Sequence, residues 1–279
     1  MATPAPEPVR TLLRADPAAE DPLAGNPTRS HPGVPDKGAA QELAAADAPR
    51  LAALQERLFA EGSRSVLLVL QGMDTSGKGG TIKHVIGAMN PQGCRISSFK
   101  RPTPEEIGQH FLRRIADKRP APGYVGVFDR SHYEDVLVVR VHSSKPDTVW
   151  TDRYDDINRF EAAMQSQHTT IVKCMLHISF EEQRERLLAR LDEPNKHWKF
   201  NESDIDERRH WYAYQNAYRA AVRHCSAAAP WYVVPADYKW YRNWAVGRIL
   251  IETLEELEPQ YPSHPLDVGT LKKRLAAPG

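Results

Sequence analysis

Between an apolar run and the start of a helical pattern the sequence reads VLLVLQGMDTSGKGGTIKHV. Gly72, Gly77 and Lys78 in that run fit G-x-x-x-x-G-K, the pattern of a loop that cradles phosphate. Glycines let backbone N–H groups turn inward around a phosphate. Lys78 adds a point charge, and the helix start adds its partial positive charge. Met73, Thr75, Ser76, Gly79, Gly80 and Thr81 complete the candidate phosphate-contacting set. The residue after the lysine departs from ordinary nucleotide-binding loops: Gly79 stands where a Ser or Thr hydroxyl would hold magnesium. The loop carries a carboxylate instead, Asp74. Unpaired, it would repel a polyanion; holding Mg²⁺, it would attract one. Asp74 is therefore read as a metal ligand in preference to a cap.

A second motif, YVGVFDRSHYEDVLVVRV, ends a strand in Asp129, where a Walker-B acid would sit beside the phosphate loop. Asp74 and Asp129 could then hold one or two Mg²⁺ between donor and acceptor oxygens. Arg130 follows, suited to bidentate phosphate binding. Alone, this pair would be a surface Asp–Arg pair as readily as a site; its place after a strand, beside a phosphate loop, favours the site. Positive charge gathers at Lys100, Arg101, Arg113, Arg114, Lys118 and Arg119, and again at Arg184, Arg186, Arg190, Lys196 and Lys199. Arg186 and Arg190 share a helix face. Each cation singly reads as part of a solvated surface, but as groups they exceed what two nucleotide phosphates require and point to a polyanionic ligand. LDEPNKHWKFNESD has the Pro- and charge-rich character of a mobile lid. The 11 His show no metal-ligand spacing, and neither Ser131 nor Ser76 sits in a nucleophile elbow, so covalent catalysis has no candidate. Trp211, Tyr212, Tyr214 and Tyr218 read as core or subunit contact rather than a nucleotide stack.

These groups need a frame, and the alternation of elements supplies one. Ser65–Gln71, a continuous apolar run, reads as a strand buried on both faces, and 94–100 (CRISSFK), Tyr124–Phe128, Ile171–Ile178 and Trp231–Pro235 read as further strands. Helical patterns lie between them: after the phosphate loop to Met89, and over Pro104–Ala116, Asp152–Gln167, Phe180–Leu191, Asp206–Cys225 and Trp240–Leu257. Strand–helix alternation makes an α/β protein with a parallel sheet covered on both faces. Leu43, Leu51, Leu54 and Leu58 predict an amphipathic helix over Lys37–Glu61, single or broken near Pro49. Residues 1–37, crowded with Pro and Ala, predict an extended arm without a helix; residues 38–279 read as one domain with a lid near 184–209.

The chain has 279 residues, 37 Lys+Arg against 36 Asp+Glu, and a net charge of +1. That balance excludes a globally basic nucleic-acid binder. No apolar run approaches the roughly 18 residues of a membrane span. Three unevenly spaced cysteines (Cys94, Cys174, Cys225) suggest buried thiols in a reducing compartment, hence the cytoplasm.

GMDTSGKGG, the following NPQG with SFK, FDRSHYEDVL and the RL–NKHWKF segment together resemble the polyphosphate kinase 2 family, from about Asp36 to Tyr261. The resemblance implies a thymidylate-kinase-like P-loop fold, a three-layer sandwich with a helical lid. It implies Mg²⁺-dependent, reversible transfer of a phosphoryl group between inorganic polyphosphate and AMP, ADP or ATP, with Mn²⁺ able to replace Mg²⁺. By motif, Asp74, Lys78, Asp129 and Arg130 form the catalytic centre, Asp74 and Asp129 hold metal, and Arg186 and Arg190 come from the lid. Lys83, Lys100, Arg101, Arg113, Lys118 and Arg119 would line the polyphosphate path. Glu134, where ADP-specific relatives tend to carry Asn in a W-Y-N motif, resembles the subgroup accepting AMP as well as ADP, class III. Homodimers or homotetramers are implied, with neither nucleic acid nor membrane as partner. The competing readings are an ADP-only polyphosphate kinase, an ATP-dependent nucleoside-monophosphate kinase, and a non-catalytic polyanion-binding module. The missing hydroxyl after Lys78 argues against the second, and the paired carboxylates argue against the third.

Overall fold

A computed structural model of the chain describes residues 7–142, 148–263 and 265–276. In chain order the elements are α1 (Val9–Leu13), α2 (Lys37–Glu61), β1 (Ser65–Gln71), α3 (Lys78–Val85), β2 (Cys94–Ser98), α4 (Pro104–Ile107), α5 (Arg113–Ala116) and β3 (Val125–Asp129). Then follow α6 (Glu134–His142), α7 (Thr148–Ser166), β4 (Thr169–His177), α8 (Phe180–Asp192), α9 (Ser203–Glu207), α10 (Trp211–His224), β5 (Trp231–Pro235), α11 (Lys239–Leu257) and α12 (Val268–Ala276).

The strands form one parallel sheet in the order β2-β3-β1-β4-β5. All seven β1 residues are buried because the strand is central and covered on both faces. Its side chains alternate between two cores. Val66, Leu68 and Leu70 join Leu54 and Leu58 of α2 and Ile249 and Leu250 of α11; Leu67 and Val69 join Val136 of α6, Ile157 of α7 and Tyr218 of α10. Truncating one of these leucines to Ala would cost about 2–5 kcal/mol. The predicted α/β sandwich and its five strands are therefore present. The C-terminal ends of β1 and β3 lie side by side, with Leu70 opposite Asp129, which puts the two carboxylate motifs at one sheet edge.

Several elements differ from expectation. The arm holds a helix after all: VRTLL is free of proline, and the Glu252 carboxylate accepts from the N–H groups of Val9 (3.0 Å) and Arg10 (2.9 Å). Leu13 and Leu23 of the arm are buried, and Arg14 bridges Tyr232 antiparallel, capping the free edge of β5. α2 runs unbroken through Pro49, packed along α11, although Leu43 points outward. The stretch 104–116 is two single turns interrupted at Gly108, the first closed by a Thr103–Glu106 capping box. The aromatic helix starts only at Trp211, after α9 and a tight turn. Finally, EDVLVVRVH forms α6, an element its β-branched residues do not announce.

Candidate active site

The loop joining β1 to α3 depends on two left-handed glycines, Gly72 (φ +151°) and Gly77 (φ +105°). A Cβ on Gly72 would stand 2.8 Å from the Leu176 carbonyl oxygen. Two arginines hold the loop from beneath. Arg186 of α8 donates to the carbonyls of Thr75 (2.9 Å) and Ser76 (3.2 Å), and Arg242 of α11 donates to that of Ser76 (3.0 Å). Burial, and Arg186 beside it, pull Arg242 down to about 9. With carbonyls engaged below, the first N–H groups of α3 have no intrahelical acceptor and stay available. The hydroxyls of Thr75 and Ser76 are buried without a hydrogen-bond partner among the described residues, as suits a loop shaped around a further acceptor or donor. Lys78 Nζ donates to Gly72 O (2.8 Å) and Met73 O (3.5 Å). Burial and neighbouring Arg130 lower its pKa, while Asp74, Asp129 and Glu134 oppose them.

Arg130 adopts φ +64°, and its N–H is tied to Leu70 O at 3.1 Å. Its guanidinium lies between two carboxylates, Asp74 (3.1 Å) and Glu134 (3.7 Å). Gln71 donates to Ser131 Oγ and Glu134 Oε1, both at 3.2 Å. Burial raises the Glu134 carboxyl above its ordinary range, opposed chiefly by Arg130 and Lys78.

Beyond this cluster opens a cavity of about 450 Å³, lined by Gly72, Met73, Asp74, Arg130, Glu134, Lys100 and Arg101. Lys78 and Asp129 do not line it, though both interact electrostatically with Arg130 of its lining. The opposite wall comes from Asp204, Glu207, Tyr214 and Tyr218, so two of the aromatic-helix tyrosines belong to the site as well as to the packing of α10. The overlying segment is fastened by Arg190, which donates to Lys199 O (2.9 Å) and Asp204 (3.2 Å), and by His142, which meets Glu207 (2.9 Å) and Tyr214 (3.1 Å).

The structure separates other expected residues from this centre. Every donor nitrogen of Arg186 is engaged, by Glu182, the loop carbonyls, Ala236 O and Asp237 O, so in this structure it holds the loop from beneath. Arg113 pairs with Asp117, and Arg119 is tied to Ala116 O and Gln167. Lys118 and Lys83 are exposed, and none of these four lines the cavity. Thr81 is buried under the loop, donating to Gly77 O, and Gly79 is exposed; Gly80 lies against Arg242. Arg114 lines the cavity, stacked on Phe99 and bonded to Lys100 O. Sequence reasoning passed over Gln71, Arg242 and Gln183, which lines the cavity and donates to the Asp74 carbonyl at 3.2 Å. Gln71, a polar end to an apolar strand, was the visible signal; Arg242 lies far along the chain and gave none.

The chain matches the polyphosphate kinase 2 (PPK2) family over residues 35–262. The chain belongs to the polyphosphate kinase 2 family. It is thus a kinase-type phosphotransferase. It is 52% identical over 227 residues to the AMP/ADP-polyphosphate phosphotransferase of Meiothermus ruber, covering 81% of this chain and 85% of that one. It is 41% identical over 252 residues to the ADP-polyphosphate phosphotransferase of Rhodopseudomonas palustris, covering 85% and 86%. The crystal structure of polyphosphate kinase 2 from Arthrobacter aurescens TC1 superposes with a TM-score of 0.93 at 45% identity, over 98% of each chain.

In this polyphosphate kinase 2, metal binding would rest on few protein ligands. Among the described residues no group of three or more His, Cys, Asp or Glu gathers as a metal cage. Asp74 lies in the loop that follows β1 and Asp129 ends the neighbouring strand β3, and the Asp129 carboxylate makes no hydrogen bond or ion pair among the described residues. That arrangement fits Mg²⁺, which keeps several waters and takes one or two carboxylates plus substrate phosphates. Among the described residues no helix is long and apolar enough to cross a membrane.

Proposed function

We propose that the enzyme transfers the terminal phosphoryl group of inorganic polyphosphate to AMP, giving ADP, and to ADP, giving ATP, reversibly. The observation that carries this reading is the carboxylate-bearing phosphate loop: Asp74 within it, Asp129 beside it, and Arg130 held between Asp74 and Glu134. Two relatives whose names specify polyphosphate and AMP/ADP or ADP support it. An acceptor phosphate oxygen attacks the terminal phosphorus in line; its new P–O bond forms as the bridging P–O bond breaks, and a chain shorter by one phosphate leaves. The acceptor oxygen is already ionised at neutral pH, so no strong general base is required. Mg²⁺ held by Asp74 and Asp129 would neutralise charge on the phosphate oxygens. Lys78 and Arg130 stabilise the charge spread over the transferring group, with the loop N–H groups, and exchange their present partners for phosphate. Lys100 and Arg101 at the cavity receive the polyanion.

In this reading residues 38–279 form the catalytic domain, 1–37 an arm, and about 184–209 a lid that excludes water during transfer. The enzyme works as a homodimer or homotetramer in the cytoplasm, in keeping with three free buried thiols. The test is incubation with long-chain polyphosphate and Mg²⁺, offering AMP and ADP separately, with a chelator control. ADP and ATP formed from AMP support the full reading. Product from ADP alone leaves an ADP-only polyphosphate kinase, and phosphorylation only with ATP present overturns polyphosphate as donor.

A further inference from the structure

Behind the active site, on the core side of the sheet, lies a charge pair that no part of the transfer chemistry uses. Lys173 sits in β4, paired across to Val69 of β1 and Trp231 of β5, and neither it nor Glu161 of α7 exposes any side-chain surface. All three ammonium donors are engaged: Glu161 Oε2 at 2.6 Å, Cys225 O at 2.6 Å and Tyr133 Oη at 2.9 Å. The other carboxylate oxygen accepts from Tyr133 Oη (2.8 Å) and meets His132 Nε2 (3.2 Å). Burial alone would raise the Glu161 carboxyl, but Lys173 and His132 more than offset it and hold it below its ordinary range. A pair buried this deeply is no efficient source of stability, because desolvation consumes most of the attraction. What it supplies is direction, fixing two side chains that would otherwise rotate.

Those side chains belong to one turn. His132 and Tyr133 follow Asp129, Arg130 and Ser131 and immediately precede Glu134. The left-handed backbone of Arg130 is costly for a bulky residue and persists where its surroundings over-determine it. Ser131 Oγ accepts from Gln71 on one side and from the Tyr133 N–H on the other. The turn is thus fastened to β1 through Gln71, and to α7 and β4 through the buried pair.

We infer that Glu161 and Lys173 are positioning residues for phosphoryl transfer, anchoring His132 and Tyr133 so that Arg130 and Glu134 keep their places beside Asp74. This rests on the proposed function for the reaction it serves. The decisive variant is the double replacement Glu161→Leu/Lys173→Met, which removes the anchor without leaving a lone buried charge. Because Tyr133 Oη, His132 Nε2 and Cys225 O lose their buried partners, its melting temperature is expected to fall by several degrees, while kcat/KM for polyphosphate-dependent ADP formation by the folded protein falls by about 10- to 100-fold. In an Arg130→Ala background the same double replacement costs less than about threefold, because the group it positions is gone. Equal losses in both backgrounds, or a well-folded double variant with wild-type kcat/KM, overturn the inference. Should the double variant fail to fold, Tyr133→Phe carries the test. It keeps the ion pair, removes the hydroxyl that joins it to the turn, and must show the same dependence on Arg130. A wild-type enzyme inactive with polyphosphate refutes the proposed function instead; the same cycle is then read from tripolyphosphate affinity by calorimetry, where additive losses refute the positioning role.

Discussion

Gly77→Ala should injure this enzyme far more than the same change two residues later. A Cβ on Gly77 would stand 1.7 Å from Arg242 Nη1 and 2.5 Å from its Cζ. Arg242 is 3% exposed, so its guanidinium has nowhere to retreat without abandoning the Ser76 carbonyl. The backbone adds a penalty of its own, since φ is +105° and the left-handed region costs an L-residue roughly 1–2 kcal/mol. Losing a hydrogen bond from a charged donor costs about 1.5–3 kcal/mol. Together these give about 2.5–5 kcal/mol, or a fall of about 4–9 °C in melting temperature for a chain of this size. Gly79 is the control: a Cβ there meets nothing within 4 Å, and it lies in the first turn of α3. Gly79→Ala should therefore move the melting temperature by less than about 2 °C. Calorimetric scans of the two variants beside the wild type test the argument. Adding Arg242→Met to Gly77→Ala should make the pair less damaging than the sum of the single changes, because the collision disappears. A Gly77→Ala protein melting within about 2 °C of the wild type would refute the role assigned to Arg242 beneath the loop.

Asp74→Asn and Asp129→Asn should each abolish turnover while leaving the melting temperature within a few degrees, because both side chains stand at the open end of the sheet; near-normal rates in either would sink the metal assignment. Lys100→Ala/Arg101→Ala should raise KM for polyphosphate and flatten its salt dependence, whereas Arg119→Ala, whose guanidinium is already spent on Ala116 O and Gln167, should leave both unchanged; equal effects at the two places would contradict the cavity as the polyanion's path. Glu61, held down to about 2 chiefly by hydrogen bonds from Arg64, gives a pH test. Its folded pKa is depressed, so its stabilisation is complete above the ordinary 4.5 and disappears as pH falls toward 2. Glu61→Gln should accordingly melt below the wild type at pH 7 and converge on it near pH 2, and a gap constant with pH would count against the ion pair.

Most of the sheet was legible because β1, β4 and β5 are short apolar runs, and a two-sided core leaves such runs few other uses; β2, polar and mostly exposed, is the exception. The phosphate loop was legible because its glycines are demanded by local backbone angles at Gly72 and Gly77. The limits have equally specific causes. Arg186 and Arg190 share a helix face and read alike in sequence, yet one is buried under the loop and the other fastens the overlying segment; only tertiary contacts separate them. The basic residues from Lys100 to Arg119 form one group by composition, but the break at Gly108 turns Arg113 and Arg119 away from the cavity that Lys100 and Arg101 line. α6 was hidden because Val136, Val138, Val139 and Val141 favour strand locally, while acidic residues at the helix start and packing against α10 decide for helix.

A common rule links the residues that sequence reasoning missed. Arg242, Gln71, Glu161 and Lys173 all act on backbone or on other side chains, and each comes from an element distant in sequence from the group it holds. Motifs record the atoms that would touch phosphate, because local geometry requires them. The supporting atoms obey only a spatial requirement: a donor beneath the Ser76 carbonyl, or an anchor behind the 130–134 turn. Lys173 was nonetheless open to suspicion from sequence, since IVKCMLHI places a lysine in the middle of an otherwise apolar strand. A charge in such a place must be paired, and its partner marks what the fold is holding still.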